Sequence, residues 1–166
     1  NGNGNWSGNG SVGHIDLPFP FKFYGIEYNE ITISTNGWIS PGYSDAASFR
    51  NYPIPGAGGP SPMIAAFWDD MKTSSGGDVF YKEFSSEEGD FVVVEWSDMR
   101  TEDNNSEEDF QVILYSNNDN STMDGEIKVQ YKEFNNTSNG YYPEGEKPQH
   151  GCYSTIGIEN KFGNEG

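Results

Sequence analysis

Cysteine occurs once in these 166 residues, at Cys152, so an internal disulfide is excluded and the fold has to rest on packing. Histidine occurs twice, at His14 and His150, and the run His150-Gly151-Cys152 is too thin for a structural zinc site, which takes about four ligands. A thiol and an imidazole two residues apart in a loop also make a poor nucleophilic pair, and no orienting group surrounds them. Basic residues are scarce: nine Lys and Arg stand against 26 Asp and Glu, for a net charge of −17. A field of that sign repels nucleic acid and anionic membrane surfaces, and makes cations the natural partners. No apolar run approaches the ~20 residues of a membrane span, so membrane insertion is not expected. Nor does any segment hold a 3.6-residue apolar period, and Gly or Pro interrupts most windows long enough for a helix.

What the chain has instead is aromatic side chains, at 15% of residues in a composition only 33% hydrophobic. Phe, Tyr and Trp must therefore supply much of the core. Leu17, Phe19, Phe21 and Phe23 alternate with Pro18, Pro20 and Lys22, the period of a half-buried strand, and the two prolines confine it to a sheet edge. Ile31, Ile33 and Thr35 alternate after the Gly25 turn, and Asn36-Gly37 accepts a positive backbone angle before Trp38-Ile39. Further strands are expected over 63–71, 78–84, 91–99, 110–115, 126–134 and 153–158. About eight strands in antiparallel order predict an all-β protein, a β-sandwich or flattened barrel with long polar loops. Residues 1–13, rich in Gly and Asn, read as a linker or arm, and residues 14–166 as a single module. The opening Asn1-Gly2-Asn3-Gly4-Asn5 suggests a piece of something larger.

Several short runs carry a family likeness: Phe19-Pro20-Phe21 with Phe23-Tyr24-Gly25, Ser34-Thr35-Asn36-Gly37-Trp38-Ile39, and Ile64-Ala65-Ala66-Phe67-Trp68-Asp69-Asp70. Val93-Val94-Glu95-Trp96-Ser97-Asp98, Phe110-Gln111-Val112-Ile113-Leu114, Gly125-Glu126-Ile127-Lys128-Val129-Gln130-Tyr131 and Ile156-Gly157-Ile158 continue it. In their order and spacing these resemble the extracellular module of nidogen-like and plexin-domain-containing proteins, in the form found in secreted multidomain bacterial proteins. The resemblance implies a secreted or cell-surface, non-catalytic module serving adhesion or protein-protein assembly. It also implies one more apolar strand beyond Gly157, so either that strand lies outside the sequence or a neighbouring subunit donates it, giving homo-assembly through a sheet edge.

Two groups of residues are candidate sites. Asp69 and Asp70 end a buried run, and Asp98 ends another; together with loop oxygens they could ligate calcium, while the plainer reading has Asp69 capping a turn and Asp70 solvated. The acidic run from Glu102 to Asp109 matches no EF-hand spacing and reads as a solvated loop. The second group is aromatic. Residues 41–62 form a long Pro-rich loop whose Phe49, Arg50 and Tyr52 have reach, and Tyr141 and Tyr142 lie in another polar loop. Rings beside Asn and Asp can hold a protein or glycan surface, which makes a carbohydrate-binding module one alternative and an accessory domain of a secreted protease another; equally, the rings can fold back over the core edge.

Overall fold

The computed structural model describes residues 3–6, 12–73, 76–87, 89–116, 124–140 and 152–166, the first of these by backbone alone. Eleven strands run β1 (Asn3–Trp6), β2 (Val12–Phe23), β3 (Ile26–Ser34), β4 (Trp38–Pro41), β5 (Met63–Trp68) and β6 (Met71–Lys72), then β7 (Asp78–Ser86), β8 (Gly89–Thr101), β9 (Glu107–Tyr115), β10 (Ile127–Phe134) and β11 (Thr155–Glu159). One antiparallel sheet has the order β1-β7-β8-β9-β10, with β6 pairing the far end of β8; the other has the order β11-β5-β4-β3-β2. The sheets do not close into a barrel, so the sandwich form of the expected fold holds. Residues 1–13, expected as an arm, contribute β1, paired with β7 from Asn3↔Lys82 to Trp6↔Val79, and the first residues of β2.

Sequence and position agree closely in β2. Leu17, Phe19, Phe21 and Phe23 are buried while Pro18 and Pro20 are exposed, and the strand is the edge of its sheet. Its pairing with β3 is interrupted between Asp16 and Phe21, where the prolines have no N–H to give. Between the sheets lies one core, in which Phe21, Phe67, Trp96 and Phe110 are the largest fully buried members. Trp96 stacks on Phe110 at 5.0 Å, and its indole N–H crosses to the Ser34 carbonyl at 2.8 Å.

A bulge in β5 builds a second, smaller core. The Ala66 and Phe67 amides both donate to the Gly37 carbonyl, at 3.1 and 3.0 Å, so two consecutive residues face the main core and the phase reverses. Gly37 has φ 78°, and a Cβ there would lie 1.9 Å from the Phe67 carbonyl oxygen; only glycine fits. Trp38, Met63, Ala65 and Trp68 are thereby collected on the opposite face of the sheet. The segment 42–62 covers them.

Candidate functional site

The segment from Gly42 to Pro62 is a brace over that second core. The indole N–H groups of Trp38 and Trp68 both donate to the Ser48 carbonyl, at 2.9 and 3.0 Å. Ser40 Oγ donates to the Pro62 carbonyl at 2.8 Å, and Thr155 Oγ1 to the Tyr52 carbonyl at 3.0 Å. Asn51 is buried and donates through Nδ2 to the Tyr153 carbonyl. Glu159, fully buried at the end of β11, accepts from the Gly56 amide at 3.0 Å and from Ser61 Oγ at 2.6 Å. The loop therefore has its main-chain polar groups tied down at both ends and in the middle, and Pro53, Pro55, Pro60 and Pro62 stiffen it further.

On this braced segment Phe49, Arg50 and Tyr52 stay exposed, and they line one depression of about 340 Å³ with Ala47, Ser48 and Gly59. The Arg50 guanidinium sits 5.5 Å from the centre of the Phe49 ring, within cation–π range. Tyr52 is seated on Gly58, where a Cβ would come within 2.3 Å of the ring, and meets Trp68 edge-on at 6.3 Å. The three loop residues singled out in the sequence are thus brought together. Tyr141 and Tyr142, the other two, lie outside the described residues.

The carboxylates are not brought together. Asp69 is buried, with Oδ1 accepting the adjacent Asp70 amide at 2.8 Å; Asp70 is half-buried and its carbonyl accepts the Glu102 amide. Asp98 is exposed in the other sheet at φ 51°, where the pairing of β8 with β9 slips between Trp96 and Met99. Among the described residues no three Asp, Glu, His or Cys side chains group as a metal site.

The run from Glu102 to Asp109, expected as a solvated loop, divides. The strand β9 begins at Glu107, and Glu108 and Asp109 are buried. Glu108 accepts from Ser106 Oγ at 2.8 Å and from the Asn135 and Asn136 amides at 2.9 Å each, fastening the chain after β10. Burial raises its carboxyl above the ordinary value of 4.5 despite those bonds, and the Asp69 charge adds to the rise. Asp109 is bridged by Lys132 at 2.7 Å, a pair whose exposed ammonium limits its worth.

Sequence reasoning missed the lateral opening of the sandwich. Ile158 pairs with Ile64 and so points toward the main core side, yet the first sheet stops short of it, leaving Ile156 at 48% and Ile158 at 38% exposure. Tyr131 and Phe134 of β10, both exposed, face the same side of the sandwich. The Tyr131 hydroxyl donates to the Ala66 carbonyl at 2.6 Å, and burial pushes its pKa up to about 12. No residue pattern announces it, since the chargeless stretch 152–158 is shorter than the chargeless runs 31–44 and 51–68.

A family model described as NIDO related matches residues 3–165, nearly the whole chain. No curated protein and no solved structure matches it.

Proposed function

Because the chain belongs to the nidogen-related family, a membership that points to an extracellular module, we propose that it is a non-catalytic adhesion or assembly module whose contact surface is the braced segment 42–62. The observation that carries this reading is the combination of rigidity and exposure. Phe49, Arg50 and Tyr52 are held around one depression by a loop whose backbone is already tied down. Aromatic and arginine side chains fixed in advance lose little entropy on contact, the property of interface anchors. The segment is also sparsely charged, with Asp45 and Arg50 as its sole ionised residues. A partner approaching there avoids the acids that dominate elsewhere. Calcium enters as a counter-ion to the −17 charge rather than through a grouping of Asp69, Asp70 and Asp98.

The test is binding of fluorescently labelled domain to cells and extracellular material of the source organism. Replacing Phe49, Arg50 and Tyr52 together with alanine should reduce binding at least about tenfold with an unchanged melting temperature. Undiminished binding by a folded triple variant rejects the surface.

A second reading, self-assembly through β11, is favoured by the state of the sheet edges. Two prolines guard β2, and Lys128 and Lys132 stand on β10, while β11 presents Ile156 and Ile158 with no solvent-facing charge. Unguarded edges invite strand addition. Sedimentation velocity over a concentration series decides it: association abolished by Ile158→Lys supports the edge, and a monomer throughout removes it.

A further inference from the structure

Resting on the braced segment as the contact surface, we infer that the depression between Phe49, Arg50 and Tyr52 takes a pyranose ring of a neutral glycan. Three observations converge on this ligand class. The first is shape and lining. A depression of about 340 Å³ open to solvent, lined by two aromatic rings, a guanidinium and the small residues Ala47, Ser48 and Gly59, suits one or two sugar rings. Aromatic faces accept the C–H face of a pyranose, and the guanidinium fork donates to ring hydroxyls.

The second is the state of the loop backbone. An extended peptide needs main-chain partners, and the carbonyls of Ala47, Ser48, Tyr52 and Pro62 and the amide of Gly56 already have theirs within the domain. A sugar needs none of them. The third is charge: the segment offers one cation, Arg50, balanced by Asp45, on a domain of net −17, which gives an acidic sugar no net positive anchor and leaves Arg50 to serve the hydroxyls of a neutral ligand. The fixed position of Tyr52, seated on Gly58 and braced by Trp68, supplies a platform that does not have to be ordered on binding.

The experiment titrates the isotope-labelled domain with β-1,4-linked glucose, β-1,4-linked N-acetylglucosamine and α-linked mannose tetrasaccharides, and with trigalacturonate as the acidic control. Amide shifts and the fluorescence of the buried Trp68 are the readouts. At least one neutral sugar should give saturable shifts confined to residues 47–59. Tyr52→Ala and Phe49→Ala should each weaken it about tenfold, and Arg50→Lys less than Arg50→Ala. No saturable shift with any neutral sugar, shifts elsewhere on the domain, or tighter binding of trigalacturonate overturns the inference; so does a proline-rich or basic peptide that occupies 47–59 in place of every sugar. If sugars fail while the triple alanine variant still loses binding to extracellular material, the glycan falls and the contact surface stands. If both fail, the surface itself is wrong.

Discussion

At the scale of single residues, one glycine bears on stability and another on recognition. Gly37 combines a left-handed backbone with a carbonyl 1.9 Å from where a Cβ would sit, so neither rotation nor a side-chain shift can make room. Gly37→Ala is expected to destabilise the domain by about 3 kcal/mol or more, read as a lowered denaturant midpoint. Gly58 differs, because the atoms a Cβ would meet are Cδ2, Cγ and Cβ of the one side chain of Tyr52, at 2.3, 2.6 and 2.7 Å, so a larger residue there has to displace Tyr52 itself. Gly58→Ala should displace Tyr52 and remove ligand binding at the loop, at a cost of about 1–3 kcal/mol read from denaturant unfolding. Undiminished ligand binding by this variant would mean that Tyr52 does not present the ligand. Glu108 provides the pH-dependent term at this scale. Its folded-state value lies above the ordinary 4.5, so its contribution favours the fold fully in acid and is lost as the pH rises through the folded value. Glu108→Gln should flatten the fall in stability from pH 4.5 upward, at an overall cost of about 1–3 kcal/mol for an amide group facing N–H donors. A pH profile parallel to that of the parent would assign the slope to other groups.

At the scale of elements, what was legible followed from period-two alternation. The strands β2 and β8 bury one face, and their residues announce it; Pro18 and Pro20 even specify the edge position of β2. Illegible were the elements whose partners are remote. The strand β1 is four residues of Asn, Gly and Trp with no alternation, and its existence depends on β7, far along the chain. In β5 the run Met63-Ile64-Ala65-Ala66-Phe67-Trp68 is buried on both faces, and a continuous apolar run says nothing of which residue faces which way or of the bulge that puts Ala66 and Phe67 on one face. For the same reason the segment 42–62 reads as a loop, and its role as a cover is invisible until Trp38 and Trp68 are seen beneath it. The candidate site was half legible: the residues with reach could be named, but the buried Glu159 that fastens Gly56 and Ser61 could not, since an acid at a strand end is ordinarily solvated. Glu159→Ala should therefore release the loop. The expected outcome is faster amide exchange and earlier proteolytic cleavage within 53–61, while β8 and β9 keep their protection. Uniform loss of protection would show that the brace and the main core unfold as one unit.

At the scale of the molecule, the −17 charge acts on everything the domain does. Like charges packed on one small surface repel one another, so the compact state should be stabilised by screening, and the same screening governs whether two copies can approach through β11. Divalent cations test whether that charge is diffuse or focused. Among the described residues the acids are dispersed, turned inward like Asp69 and Glu108, or paired like Glu107 with Arg100 at 2.6 Å. A diffuse charge responds to ionic strength alone. The melting temperature should then rise to the same extent in CaCl2 and in NaCl of matched ionic strength, with no step at micromolar calcium after chelation. A specific site instead gives stabilisation that grows logarithmically with free calcium well below any screening concentration, as binding to the native state demands. Such a rise would overturn the counter-ion reading and call for oxygen ligands beyond Asp69, Asp70 and Asp98.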